Sequence, residues 1–211
     1  AGVSAGALHG DLEQFDRDRV MAKFRNHSLR ILVATDVAAR GIDVESLDLV
    51  VNYELPAQPE VYVHRVGRTG RAGQKGRAVS LYSSREKSKL QMIEQYARVR
   101  LQAKELPSMR QLDLDGLQDR LQRRLNEAVD GAAQMRTLMI SAGRKDKMRP
   151  GDILGALTGE AGGLSAAEIG KIEIHDRLSY VAISERVFEK ALWSLRHGRI
   201  KGRKCKVDPV K

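Results

Sequence analysis

Cysteine, aromatic side chains and long apolar runs are all scarce in this chain. Of its 211 residues one is cysteine, Cys205, which excludes an intramolecular disulfide and a thiolate metal cluster and fits a reducing compartment. No apolar stretch approaches the roughly 20 residues that a membrane-spanning helix needs, and no lipidation box or secretory signal is visible. A cytoplasmic location is therefore expected. The phosphate-loop pattern G-x-x-x-x-G-K-[ST] is missing too: Gly70–Gly76 (G-R-A-G-Q-K-G) has neither its spacing nor a buried strand before it. No residues are assigned to a metal site. With alanine at position 1 the sequence reads as a piece of a longer protein.

What is present is charge. The net charge is +10, carried as +4 over residues 1–107, −1 over 108–135 and +7 over 136–211. A basic last third points to a polyanionic partner. The 42% hydrophobic content is enough for a packed core.

Strand and helix patterns alternate through the first half. Residues 3–8 read as a short strand, with Asp11 as N-cap of a helix carrying Leu12, Val20, Met21 and Phe24 inward. Arg30–Thr35 and Leu47–Tyr53 read as buried parallel strands. Pro59 opens a helix or turn, Arg77–Tyr82 is a third apolar strand and Ser84–Leu101 a polar helix. The expected class is α/β layered. Leu114, Leu117, Leu121 and Leu125 then recur at helical spacing, which predicts an amphipathic connector over 108–135.

Two boxes stand out. Val63–Gly73 (V-H-R-V-G-R-T-G-R-A-G) sets Arg65, Arg68 and Arg71 three residues apart, to project from one side of a helical turn, with glycines to end the helix and admit a close ligand. Arginine forks near tight backbone suit a polyphosphate. Ala34–Asp43 (A-T-D-V-A-A-R-G-I-D) follows the apolar Ile31–Val33 directly. With Leu8-His9-Gly10-Asp11 and the Gln14/Arg17 pair, these boxes resemble the second RecA-like domain of DEAD-box RNA helicases over residues 1–107. The resemblance implies that Arg68 and Arg71 are arginine fingers meeting charge on the transferring phosphoryl group, and that Gly41 and Asp43 sit at the ATP ribose. It implies that Gly10, Gln14, Arg17 and Thr35 hold RNA by its backbone, that Arg65 pairs with acids inside the motor, and that His64 meets the other helicase domain. Asp36 is expected in an internal salt bridge, and Arg40 has an equally good structural use. The family's D-E-A-D box, its Mg²⁺ ligands and the strand and helix that open this domain are absent. ATP and Mg²⁺ are thus expected to need the other half, and this chain alone is expected to hydrolyse nothing.

The tail from Arg136 reads β-α-β-β-α-β: strand Thr137–Ser141, a helix from Pro150 to Gly159, a capping box at Ser165/Glu168, strands Lys171–Ile174 and Leu178–Ser184, a helix with Phe188, Leu192 and Leu195 inward, and a last strand Arg203–Val207. That order belongs to the RRM-like α+β sheet. Gly143–Gly159 and Ile169–Ile172 resemble the C-terminal RNA-binding domain of DbpA-type DEAD-box proteins. Of the three positions where RRM domains place base-stacking rings, Met139, Tyr180 and Ala182, only Tyr180 is aromatic. Charge takes over: Arg144, Lys145, Lys147 and Arg149 in one loop, then five basic residues among the eight from Arg199 to Lys206, including Lys201, Arg203 and Lys204. Lys171 joins them as a candidate RNA contact. The resemblance implies a structured target, a hairpin of 23S ribosomal RNA, and a role in large-subunit assembly. The competing reading is a stand-alone RNA-binding fragment without catalysis.

Overall fold

The computed structural model describes residues 4–36, 44, 47–70, 73, 75–106, 116, 119, 120, 123, 135–160 and 162–210. It forms two compact units, one of Ala1–Val37 with Leu112–Lys211, the other of Ala38–Gln111. The predicted connector helix, and the expectations at Arg40, Gly41, Asp43 and Arg71, lie outside the described residues, apart from Gly116, Asp119, Arg120 and Arg123, which are helical.

The first unit opens with β1 (Ala5–Leu8), α1 (Gln14–Arg25) and β2 (Ile31–Ala34), a parallel crossover pairing Ala5 with Ile31 and Leu8 with Ala34. Helix α1 places Asp16 in its first turn and Lys23 and Arg25 in its last, the signs its dipole favours. Its N-cap is Glu13, not Asp11. His9–Leu12 is spent on a turn, closed by Leu12 N–H to His9 O at 3.3 Å, so the helix starts later than the sequence pattern implies. Met21, Ala22 and Leu29 are buried against β1, and a Cβ on Gly6 would lie 2.6 Å from Leu29.

The second unit pairs β3 (Leu49–Asn52) in parallel with β4 (Arg77–Ser80), flanked by α2 (Pro59–Val66) and α3 (Lys87–Ala97). Its small core is Leu55, Tyr62 and Ile93. Both parallel pairs are two-stranded, and their apolar strands are not buried as expected: Val33 is 63% exposed and Val51 55%. A parallel strand is covered only when helices lie on both faces and strands on both edges. Among the described residues neither pair has that cover.

The RRM-like half of the first unit is better closed. Strands β5 (Met135–Ile140), β6 (Ile169–Ile174), β7 (Ser179–Ser184) and β8 (Val207–Pro209) form an antiparallel sheet in the order β6-β7-β5-β8. Helices α4 (Pro150–Thr158) and α5 (Phe188–His197) lie on one face. Alternation sends Leu138, Ile140, Val181 and Ile183 to that face, where Ile153, Leu157, Phe188 and Leu195 complete the core. Pro150 at the first turn pre-sets α4, and the Asp152 carboxylate accepts from Arg149 N–H. The last strand begins later than the expected Arg203. Lys201 (φ 53°) and Gly202 (φ 77°) make a tight turn that closes Ile200 on Arg203, so pairing with β5 starts only at Val207.

Candidate nucleic-acid interface

Because β1 and β2 are parallel, the chain leaves both at one edge, His9-Gly10 from the first and Thr35 from the second. Thr35 N–H donates to Leu8 O at 3.1 Å. Gly10 is exposed, and a Cβ there would meet nothing within 4 Å, so its backbone is open to an approaching group. Gln14 and Arg17 sit one turn apart at the start of α1, with Gln14 Nε2 donating to Asp18 Oδ1 at 2.8 Å. The four residues expected to hold RNA backbone thus share the carboxyl edge of a parallel pair and the start of the next helix, where α/β sheets collect anionic ligands.

In the second unit the arginine box is only partly helical. α2 stops at its C-cap Gly67, so of the three arginines Arg65 lies in the helix and Arg68 lies beyond it. Arg65 donates to Asn52 Oδ1 at 3.1 Å and to Glu54 O at 2.9 Å, an inward role like the one expected, with neutral acceptors at these two bonds. Arg68 is half-buried, its N–H bonded to Arg65 O and its carbonyl accepting from Leu47 N–H. His64 is exposed rather than packed. The box's glycines serve a tight turn: Gly70 and Gly73 have φ of 68° and 77°, and a Cβ on Gly76 would lie 2.3 Å from Gly70 N. The Thr69 hydroxyl, inside that turn, bonds to Leu47 O.

The basic residues of the tail come together although some 50 positions separate them. The 143–149 loop is stapled to the β6–β7 turn by Arg144 N–H to His175 O (2.8 Å) and Lys145 N–H to Asp176 O (2.9 Å). A Cβ on Gly143 would sit 2.3 Å from His175 O, so only glycine fits. Lys201 Nζ reaches across from the Ile200–Arg203 turn to Lys147 O at 2.8 Å and to Asp152 at 3.3 Å. The result is one basic rim.

Acids counted only as bulk in the sequence divide that rim. Arg144 pairs with Asp176 (3.2 Å), Lys201 with Asp152, Arg203 with Asp146 (4.0 Å) and Lys206 with Asp208 (3.4 Å). The Asp152 carboxyl is held below its usual range, first by the Arg149 N–H and then by Lys201, against the opposing effect of burial. Lys145, Lys147, Arg149 and Lys204 are exposed and have no ion pair among the described residues. These four can meet phosphates without giving up an ion pair to a described residue. Burial raises the Cys205 thiol, which makes it a poor nucleophile.

Lys171 and Tyr180 lie elsewhere, on the outer face of the sheet. Lys171 pairs with Glu173 at 3.3 Å. Tyr180 has no exposed surface, and Ala182 and Thr137 beside it are 1% and 2% exposed. The expected open stacking ring is therefore a covered one. Burial pushes the Tyr180 phenol up to about 12, with the Asp18 carboxylate of α1 adding to it. Arg25 at the other end of α1 donates twice to Glu173, at 2.7 Å each. Burial alone would raise the Glu173 carboxyl, but the Arg25 bonds and charge, helped by Lys171, hold it below the usual range. Arg25 and Glu173 stand 148 residues apart, and nothing in the local sequence marks them as partners.

Among the described residues no helix is long and apolar enough to cross a membrane, and no three carboxylate, imidazole or thiol groups are placed to hold a metal ion.

Comparison with protein families matches residues 1–73 to the helicase conserved C-terminal domain and residues 137–209 to the DbpA RNA binding domain. The chain is 46% identical to the ATP-dependent RNA helicase DbpA of Escherichia coli (strain K12), over 100% of this chain and 42% of that protein. It is 39% identical to the ATP-dependent RNA helicase DbpA of Bacillus subtilis (strain 168), over 98% of this chain and 44% of that one. A solved DEAD box protein from the hyperthermophile Methanococcus jannaschii is 52% identical over 47% of this chain and 27% of its own, with a TM-score of 0.44. The chain spans less than half the length of the two curated relatives. It belongs to the DEAD-box RNA helicases, and carries their conserved C-terminal domain together with a DbpA RNA-binding domain.

Proposed function

We propose that this chain is the RNA-gripping and phosphate-sensing part of a cytoplasmic ATP-dependent RNA helicase that remodels 23S ribosomal RNA during large-subunit assembly. The observation that carries the reading is the basic rim, where Lys145, Lys147, Arg149 and Lys204 stand exposed, with no ion pair among the described residues, on a domain matched to an RNA-binding family. Its target is a structured RNA, a 23S hairpin, held through phosphates at the rim. Gly10, Gln14, Arg17 and Thr35 hold a second stretch of backbone without reading sequence.

In this reading Arg68 and Arg71 meet the charge that develops on the transferring phosphoryl group of ATP, while Gly41 and Asp43 lie at the ribose. Glycines hold the Arg68 turn tight, so the guanidinium reaches its task from fixed backbone. Mg²⁺, when bound, would supply charge neutralisation at the phosphates, and among the described residues no three carboxylate, imidazole or thiol groups are placed to hold it. The domains divide at 1–107, 108–135 and 136–211 in function. The two-stranded parallel pairs favour the second reading for this chain by itself: it binds RNA and does not turn over ATP.

The test is charge reversal on the rim. Lys145→Glu with Lys147→Glu and Arg149→Glu is expected to abolish binding of a labelled 23S stem-loop in fluorescence anisotropy, with thermal unfolding little changed. Retained affinity in a folded variant would overturn the reading.

A further inference from the structure

An antiparallel sheet with helices on one face normally leaves the other to solvent, and in RRM domains that open face carries the bases. Here it is closed. Tyr180, Ala182 and Thr137 all point away from the helical core, yet each is buried. Helix α1 and the residues after it lie against this face, with the Asp18 carboxylate acting on the Tyr180 phenol, and the His175 ring meets Tyr180 edge-on at 5.4 Å. Ser28 Oγ and Thr137 Oγ1 are 2.8 Å apart, and the Arg25 guanidinium closes bidentately on Glu173. Glu173 and Arg25 side chains are only 11% and 20% exposed, and Lys171 and His175 flank the carboxylate at 3.3 and 3.7 Å. An acid so enclosed on a sheet face needs a planar cation to satisfy both oxygens, and Arg25 supplies one.

We propose that the outer sheet face of the RNA-binding domain is an internal docking surface for helix α1, and that the Arg25–Glu173 latch fastens the two while RNA is held. The same helix carries Gln14 and Arg17 at its other end, roughly 17 Å away at 1.5 Å per residue. Docking therefore makes the backbone grip and the basic rim one rigid body, with their separation set by a single helix. The part of this concerning RNA rests on the proposed function; the docking itself does not.

The experiment uses the whole chain with Cys205→Ser, Ser28→Cys and Thr137→Cys. Mild oxidation is expected to give a monomeric internal disulfide, read by mass and by mobility on a non-reducing gel. Adding Glu173→Arg is expected to slow that crosslinking roughly tenfold or more, the worth of a charge-assisted bidentate pair, and adding Arg25→Glu as well is expected to restore it. Rescue separates loss of the latch from misfolding. The rate is then measured with a labelled 23S stem-loop at saturation, binding being followed by anisotropy in the same tubes, and is expected to stay within about twofold, under half a kcal/mol. Failure to crosslink, indifference to charge at position 173, or protection by bound stem-loop would each overturn the proposal. A stem-loop that never binds would instead contradict the RNA reading, while the crosslink and its dependence on charge would still decide whether α1 docks.

Discussion

Replacing Lys147 by alanine is expected to weaken stem-loop binding and to flatten its dependence on salt. The size follows from the division of the rim. Four exposed cations, Lys145, Lys147, Arg149 and Lys204, lack an internal ion pair among the described residues. Each phosphate neutralised contributes ~0.7–0.9 to the slope of log affinity against log salt, so four contacts give about 2.8–3.6. Raising salt from about 50 to about 200 mM then costs the wild-type chain roughly 50- to 150-fold in affinity, and the three-contact variant roughly 20- to 40-fold. Arg144→Ala is expected to move the slope less, because Asp176 already lies 3.2 Å from that guanidinium and is freed by its loss. Anisotropy titrations at four or five salt concentrations give the slopes directly. Equal slopes for wild type and Lys147→Ala, or a larger change for Arg144→Ala, would refute the division into paired and unpaired cations.

In a protein that joins this chain to a first helicase domain, Arg68→Ala is expected to cut RNA-stimulated turnover by ~10³–10⁵ with RNA binding nearly intact, and an ATPase assay retaining a tenth of the rate would sink the finger assignment. Tyr180→Phe removes a buried hydroxyl with no hydrogen-bond partner among the described residues; thermal unfolding is expected to show no loss of stability, and up to ~1–3 kcal/mol gained, with stem-loop affinity unchanged. Glu173 has a depressed carboxyl in the fold, so its contribution is present above the unfolded-state value and is lost as pH falls through the folded one. Below about pH 4.3 the stability difference between wild type and Glu173→Gln is expected to close, and a difference that persisted through acid titration would contradict the latch.

Much of this molecule is written locally. The apolar alternation of Leu138 and Ile140 or Val181 and Ile183 placed the RRM-like core, because a sheet against helices imposes a period of two. Pro150 marked a helix start through its backbone chemistry, and α2 ends at Gly67, among the glycines expected to stop it. Local pattern misplaced the α1 N-cap, because the Leu12–His9 turn takes up Asp11, and it placed the last strand too early, because Lys201 and Gly202 first reverse the chain. Ile31–Val33 reads as a buried strand from hydrophobicity, but burial belongs to the neighbours a strand has, and among the described residues β2 has one. The least legible feature is the sheet face. Tyr180 is a stacking residue by position and a covered one by contact, since Arg25 reaches Glu173 only after the chain has folded. Likewise the rim was visible as basic residues but not as paired and unpaired ones, because Asp146, Asp152 and Asp176 join it through tertiary structure.

If residues 136–211 choose the RNA, the choice must show as a preference between RNAs of equal charge. One titration addresses it: the whole chain against a labelled 23S stem-loop, and against a scrambled stem-loop of equal length and charge, at one physiological salt concentration. Phosphate contacts alone would bind the two alike. The 23S stem-loop is expected to bind at least roughly tenfold tighter, about 1.4 kcal/mol, and the preference is expected to vanish when residues 136–211 are removed. Equal affinity of the whole chain for the two stem-loops would contradict the targeting role of these residues.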